Sequence, residues 1–218
     1  MAHEYAQYIW SYFKGRINND YGVAGLMGNL QAESALCPYR LQGDFSSGYA
    51  TSIEYTAKVD SGEISRNDFI HNGPNGNGYG LAQWTFYTRK DELYERWSNG
   101  GYDSIGSIDL ACDFLYYELG QYGLLDNLRN AKSVREASDV ILHDFENPAD
   151  QSESAEIRRA SMGQAWYDKY AGTGGTVEPD EPDTPTPESP PGTVSDKPYT
   201  KVKKMSLLLL LTATKRKL

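Results

Sequence analysis

One run of residues sets the architecture of this chain, and it reads Gly22-Val23-Ala24-Gly25-Leu26-Met27-Gly28-Asn29-Leu30-Gln31-Ala32-Glu33-Ser34. Apolar side chains recur in this run at helical spacing, so it predicts an amphipathic helix. Seven residues beyond Leu26, and three beyond Leu30, the same stripe reaches Glu33. We therefore expect the Glu33 carboxyl group to lie on or beside the buried face, near the end of the helix.

Burial would give such a carboxyl group a chemical use. Loss of solvent disfavours the charged form and raises the pKa of a carboxyl group. A carboxylic acid that stays protonated near neutral pH can serve as a general acid. Glu33 is therefore the first candidate for a catalytic acid. The alternative is a solvated glutamate at the edge of the stripe.

Outside this helix, the chain combines further helical patterns with one irregular excursion. Helical spacing precedes the helix and returns from about Thr88 to Tyr170. Between them, residues 39–87 lose the rhythm apart from one short helix near 53–60, and the turn-forming residues 72–78 favour a small β-hairpin or an irregular loop. This pattern predicts a predominantly helical α+β domain. Helix-capping residues are expected at Asn19 or Asp20, at Ser107 and at Ser133.

Composition divides the 218 residues into three parts. Residues 1–172 form the predicted domain and carry a net charge of −10. Residues 173–200 have a net charge of −5 and are rich in Pro, Glu, Asp and Thr, which predicts a disordered linker. Residues 201–218 have a net charge of +6. So acidic a domain argues against nucleic-acid binding, which requires Lys and Arg to neutralise phosphates.

The two ends of the chain carry no pattern typical of membrane insertion. Residues 201–218 place five leucines between basic residues, whereas a transmembrane helix needs about 20 apolar residues. This segment fits contact with an anionic membrane surface or a partner groove, or else a solvated end or a fragment of a further domain. The first residues lack a basic patch followed by an apolar run, so no signal peptide is predicted.

A second informative run covers residues 78–85 and reads Gly78-Tyr79-Gly80-Leu81-Ala82-Gln83-Trp84-Thr85. Its glycines permit a close backbone approach. Gln83 and Trp84 place an amide beside a large ring, a pair that could line a groove and bind a saccharide by hydrogen bonding and stacking. A turn followed by a core tryptophan is the alternative. The 17 tyrosines and four tryptophans of the chain suit sugar binding and an ordinary core equally well.

Together, these runs resemble the phage tail lysozyme family. The similar blocks are Gly28–Ser34, Gly78–Trp84, Ser133–Ala137 and Phe145–Ser152, and the resemblance covers about residues 4–171. It implies a lysozyme-like fold that attacks the glycan strands of bacterial peptidoglycan. It also implies a location on the virion tail, with other tail proteins as partners, where the enzyme opens the host cell wall locally during DNA entry.

The same resemblance implies roles for individual residues. The catalytic glutamate of the family falls on Glu33, which agrees with the stripe argument. Tyr79, Gln83 and Trp84 would bind substrate in the groove. Glu146 would belong to the groove or support it from behind, or else only balance the charge at a helix end.

The partner of the catalytic acid is not identified by the resemblance. Retaining glycosidases place two carboxyl groups about 5–5.5 Å apart, and inverting ones about 6.5–9.5 Å apart. Asp44 is the first choice, ahead of Glu54, Asp60 and Asp68, because it lies in a glycine- and serine-rich loop soon after the helix. If no carboxylate approaches, a single acid/base would suffice, as in lytic transglycosylases, which form an anhydro sugar by internal attack.

Three other functions compete with glycan cleavage as interpretations of this sequence. A zinc peptidase is disfavoured because His3, His71 and His143 lack ligand spacing, and neither a metal nor another cofactor is predicted. A cysteine peptidase using Cys37 and His71 is disfavoured because Cys37 follows the C-terminal end of a helix, whereas helix N-termini favour thiolates. Cys37 and Cys112 are expected to be thiols. The third is a sugar-binding or structural tail module that has lost turnover.

Overall fold

The computed structural model of the protein describes residues 5–71 and 78–172, and this part of the chain is predominantly helical, as predicted. A 3₁₀ turn at Ser47–Tyr49 precedes the third helix, and a π-helical turn at Leu142–Glu146 continues the eighth. The helices are α1 (Ala6–Ile17), α2 (Asp20–Ser34), α3 (Ala50–Asp60), α4 (Arg66–His71), α5 (Tyr87–Gly100), α6 (Ile108–Gln121), α7 (Leu125–Asn130), α8 (Val134–Ile141) and α9 (Glu153–Tyr170).

Helix α2 is the central element of the domain. Every residue from Gly22 to Leu30 is buried, because α8 and α9 pack along it and α1 and α7 make further contacts. A helix that is enclosed on all sides has no polar face to present to water. The sequence predicted an amphipathic helix with one buried stripe, and the structure corrects this prediction for residues 22–30 of α2.

Glycines allow α9 to pack directly against the backbone of α2. A Cβ atom added at Gly28 would lie 2.3 Å from the carbonyl oxygen of Arg159, and one added at Gly163 would lie 2.6 Å from that of Ala24. Such separations are far below van der Waals contact, so only glycine fits at these two positions. The close crossing brings the Arg159 side chain to the C-terminal end of α2.

The end of α2 is joined to the segment 78–84. Ala35 and Leu36 adopt left-handed backbone conformations and end the helix before Pro38. The Ser34 hydroxyl is buried and donates to the carbonyl oxygen of Leu81 at 2.7 Å. This hydrogen bond places the glycine-rich segment beside the last turn of α2.

The predicted β-structure is reduced to two isolated bridges in the described ranges. Tyr79 pairs in antiparallel fashion with Leu41 and with Trp84, and residues 5–71 and 78–172 contain no extended strand. The turn-rich residues 72–77, for which a hairpin or an irregular loop was predicted, lie outside the described residues. So do the predicted linker at 173–200 and the basic segment at 201–218.

Several local predictions are confirmed. The side chains of Asn19, Ser107 and Ser133 cap α2, α6 and α8 by accepting hydrogen bonds from backbone N–H groups. The short helix predicted near 53–60 is α3. None of the described helices is both long and apolar enough to cross a membrane.

Candidate active site

An open cleft of about 280 Å³ lies at the C-terminal end of α2. Segments distant in sequence meet there: the end of α2, the loop after it, the segment 82–89 and the residues around the π-helical turn. Two of the lining residues carry carboxyl groups and one carries a guanidinium group. The lining consists of Glu33, Gln42, Ala82, Gln83, Thr85, Phe86, Arg89, Glu146 and Pro148.

Glu33 is the penultimate residue of α2 and faces this cleft. Its side chain is 21% exposed, and its Oε1 atom accepts a hydrogen bond of 2.6 Å from Nη2 of Arg159 on α9. The Arg159 side chain is only 7% exposed. This buried guanidinium provides a counter-charge, without which a carboxylate at the edge of the core would be costly.

Arg159 is in turn held by a polar group inside the core. Its Nη1 atom donates to Oδ1 of Asn29 at 3.2 Å, and Asn29 donates to the carbonyl oxygens of Gly25 and Ser138 at 3.0 Å each. Asn29 is completely buried. The ion pair with Glu33 is therefore anchored in the contact between α2, α8 and α9. The Nε atom of Arg159 is buried without a hydrogen-bond partner among the described residues.

Glu146 is the second carboxyl group of the cleft. It is the last residue of the π-helical turn, which ends where Asn147 adopts a left-handed conformation. The residue keeps partial exposure, but its Oε1 atom is covered and has no hydrogen-bond partner in the described ranges. Burial and the negative charge of Glu33 raise the pKa of Glu146 to about 8, against the opposing effect of Arg89 and Arg159.

A second ion pair, also largely buried, lies beside the cleft. Arg89 of α5 donates from Nε and Nη2 to the two carboxylate oxygens of Glu118 on α6, at 2.6 Å and 2.9 Å. The indole nitrogen of Trp84 also donates to Glu118, at 2.6 Å. Burial opposes the charged form of Arg89, but its hydrogen bonds to Glu118 outweigh this effect and raise its pKa. Arg89 therefore stays a cation.

A family model described as phage tail lysozyme matches residues 4–170, which is most of the chain. The chain belongs to the phage tail lysozyme family. The resemblance predicted from the four sequence blocks is thereby confirmed.

The chain is also similar to a curated phage protein. It is 24% identical to Morphogenesis protein 1 of Bacillus phage B103 over 180 residues. The similarity covers 78% of this chain but 40% of that protein. The chain therefore spans less than half the length of this curated relative.

Within this tail lysozyme domain, the family block at 78–84 contributes less directly to the cleft than predicted. Tyr79 is 1% exposed, and its hydroxyl group shares a 2.7 Å hydrogen bond with Thr56. Trp84 is completely buried and is bonded to Glu118. The core encloses both rings, and this placement argues against the prediction that they bind substrate.

Gln83 does line the cleft, together with the aromatic ring of Phe86, which was not predicted from the sequence. The amide nitrogen of Gln83 donates to the carbonyl oxygens of Arg40 and Gly80 at 3.0 Å each, which holds the side chain at the wall. Phe86 is 70% exposed in the same cleft. Phe86 therefore offers the solvent-facing ring that had been expected from Trp84.

Asp44 is not among the residues that line the cleft. It is 4% exposed. One of its carboxylate oxygens accepts hydrogen bonds from the backbone and hydroxyl groups of Ser46, and the other accepts from the same groups of Ser52. Asp44 therefore ties a loop to α3, and this placement argues against the prediction that it is the partner carboxylate of Glu33.

The charged groups that surround the two cleft carboxyls were not predicted from the sequence. Glu118 had a detectable signal, since it lies three residues after Leu115 on the apolar stripe of α6, the same offset that identified Glu33. Arg89 and Arg159 lie in polar stretches, so no local pattern marks them as buried cations.

The arrangement bears on the rival functions as well. Cys37 and Cys112 are buried thiols that form no disulfide, as predicted, and neither lines the cleft. Among residues 5–71 and 78–172, no cluster of His, Cys, Asp and Glu could hold a metal ion. The side chains that could take part in chemistry at the cleft are therefore the carboxyl and guanidinium groups around Glu33.

Proposed function

We propose that this cleft cleaves the glycan strands of bacterial peptidoglycan, with Glu33 as the acid that protonates the bridging oxygen. The position of Glu33 carries the proposal. Its carboxyl group stands at the end of a buried helix, in the wall of an open cleft, on a rigid support formed by Arg159. Membership in the phage tail lysozyme family supports the same substrate class.

Other lining residues suit an amino-sugar chain. Phe86 presents an exposed ring to the cleft, and such a ring can pack against the apolar C–H face of a sugar. Gln42 and Gln83 supply amide groups in the same wall, which can hydrogen-bond to hydroxyl and acetamido groups. Substrate positioning would thus come from residues around Glu33, whereas Tyr79 and Trp84 stiffen the wall from within the core.

The nucleophile determines the product. We favour attack by water, the muramidase reaction, which leaves a reducing sugar. In the described lining only Glu33 and Glu146 carry carboxyl groups, so one of this pair must then act as the base. Internal attack by a hydroxyl group of the sugar, the lytic transglycosylase reaction, would need only the acid and would leave an anhydro end. Mass spectrometry of the released muropeptides distinguishes the two products.

The tail of a phage particle is the location that we propose for this activity. The family and the relative from a Bacillus phage both support it. Residues 1–172 carry a net charge of −10, so this domain gains no electrostatic attraction to walls rich in anionic polymers. Delivery by a tail would make such attraction unnecessary. Other tail proteins would then be its partners.

Replacing the acid tests the proposal. Glu33→Gln should keep the fold and reduce clearance of purified peptidoglycan at least about a hundredfold, because general acids typically contribute that much. Turbidity loss measures the rate, and circular dichroism with a thermal melt checks the fold. Glu54→Gln is the matched control, since Glu54 is 69% exposed in an ion pair with Lys58 outside the cleft.

Two results would contradict the proposal. The first is clearance by Glu33→Gln at the wild-type rate, which would remove Glu33 from the mechanism. The second is wild-type protein that binds peptidoglycan but releases no fragments, as expected of a sugar-binding module without turnover.

A further inference from the structure

The charges around the cleft do not balance. Three carboxyl groups, those of Glu33, Glu118 and Glu146, share this region with two guanidinium groups, those of Arg89 and Arg159. Each arginine is already matched, because Arg89 bonds both oxygens of Glu118 and Arg159 bonds Glu33. Glu146 is therefore the surplus acid.

The surroundings of Glu146 make a negative charge there expensive. Its Oε1 atom is covered and has no hydrogen-bond partner among the described residues. An ionised carboxylate with an unpaired buried oxygen loses its hydration without compensation, whereas a neutral carboxylic acid loses much less. The group can avoid this cost by holding a proton.

We propose that Glu146 is the partner carboxyl of Glu33, and that the two side chains share one proton that Glu33 delivers to the substrate. The inference rests on the proposed function and deepens it. Both side chains line the same cleft. Within the pair, Glu33 faces the cleft and is held in place by Arg159. Glu146 is a positioning residue that keeps a proton in the pair.

The charged groups around Glu146 act in opposing directions. Glu33 on α2 and Glu118 on α6 favour its protonated form, and burial favours that form most strongly. Arg89 on α5 and Arg159 on α9 oppose it, each more strongly than Glu118 favours it, but burial and Glu33 outweigh them. The net effect raises the pKa of Glu146 to about 8, so Glu146 holds its proton near neutral pH. Such a coupled pair titrates as a unit.

The cycle conserves protons and electrons. Glu33 gives its proton to the bridging oxygen, the bond from that oxygen to the anomeric carbon breaks, and the bonding electrons stay with the oxygen. The oxygen of a water molecule then bonds to the anomeric carbon and releases a proton to the pair. The pair thereby regains its single proton for the next turnover.

The pH profile of a Glu146→Gln variant of the full chain tests this inference. Glutamine removes the carboxyl group whose raised pKa keeps a proton in the pair, so Glu33 no longer has a neighbour from which its proton can be replaced. We expect the alkaline limb of kcat/KM to move down by about one pH unit or more. Activity near neutral pH should fall about tenfold or more, and much of it should return at acidic pH. Glu146→Asp, which keeps a carboxyl group, should retain the alkaline limb of the wild type.

The outcomes separate the two levels of the proposal. A uniform loss in Glu146→Gln at every pH, with an unmoved alkaline limb, would show a merely structural role and overturn the inference. An unchanged profile would overturn it as well. If the wild type itself releases no glycan fragments, the proposed function fails, and the proton must be observed directly.

Direct observation uses protein labelled with ¹³C at the glutamate carboxyl carbons. We expect one carboxyl signal to titrate near pH 8, to be absent from Glu146→Gln, and to titrate at lower pH in Glu33→Gln, where the neighbouring negative charge is gone. A wild-type spectrum in which every glutamate has ionised below pH 6 would overturn the shared proton, whatever the activity.

Discussion

Asp44 shows how hydrogen bonds decide the role of a single carboxylate. Four donors from Ser46 and Ser52 surround it, and they hold the loop that follows α2 against the start of α3. Burial alone would raise the pKa of Asp44, but these hydrogen bonds outweigh it and lower the pKa to about 2, from an ordinary value of 3.8. Asp44 is therefore a stabilising anion and a poor proton donor.

Asp44→Asn should consequently destabilise the domain without abolishing glycan cleavage. Folding lowers the pKa of Asp44. The contribution of its carboxylate to the free energy of unfolding is therefore complete above the ordinary pKa of 3.8 and is lost as the pH falls through about 2. We expect a loss of about 2 kcal/mol at pH 7 that shrinks towards pH 2. Urea denaturation at several pH values measures it. A folded Asp44→Asn protein with no activity would instead restore Asp44 as a catalytic candidate.

At the level of the elements, the crossing of α2 and α9 positions the catalytic candidates. Gly28 lies one turn or so before Glu33, and Arg159 and Gly163 lie on the facing side of α9. The close backbone approach brings the Arg159 guanidinium to Glu33. The π-helical turn after α8 plays the corresponding part for Glu146, since such turns interrupt the regular helical repeat and occur often at functional sites.

Gly28→Ala tests the importance of this crossing. The added methyl group would lie 2.3 Å from the carbonyl oxygen of Arg159, a backbone atom that cannot move without displacing α9. We expect a loss of about 3 kcal/mol in the free energy of unfolding, as for other overpacked cores. Thermal and urea denaturation measure it.

Gly15 provides the matched control. It is exposed within α1, and a Cβ atom added there meets nothing within 4 Å. Gly15→Ala should therefore stabilise the protein by up to about 1 kcal/mol through helix propensity. Equal stability of the two variants would show that α9 can move away from α2 at little cost.

At the level of the whole molecule, the described core and cleft are formed by residues between 5 and 172. The last helix belongs to that core, because Trp166 and Tyr170 pack near Trp10 of α1. A chain ending at residue 172 should therefore fold and cleave peptidoglycan like the full protein. Matching melting temperatures and turbidity rates would support this prediction. A truncated chain that fails to fold would show that residues 173–218 contribute to the domain.

Much of the fold is encoded in patterns that span only a few residues. Most of the helices, the caps at Asn19, Ser107 and Ser133, and the placement of Glu33 near a helix end could be predicted, because periodicity and capping depend on neighbours within about one turn. The short helix α4 was not predicted, since it lies in the stretch 39–87 for which only a helix near 53–60 was expected. The enclosure of α2 could not be predicted, since it depends on which helices pack around it. Nor did the sequence reveal the π-helical turn that carries Glu146.

Some features of the cleft could likewise be predicted from the sequence, and others depend on the tertiary structure. The family blocks and the apolar stripe marked Glu33 in the sequence as the candidate acid. The excess of three carboxyl groups over two guanidinium groups arises only in the folded chain, where α2, α5, α6, α9 and the π-helical turn meet. Sequence does not reveal it, because electrostatic interactions depend on distance in space and on burial. The tertiary structure likewise places the side chains of Tyr79 and Trp84 in the core and leaves that of Phe86 exposed. Those orientations follow from long-range packing, which a local pattern does not contain.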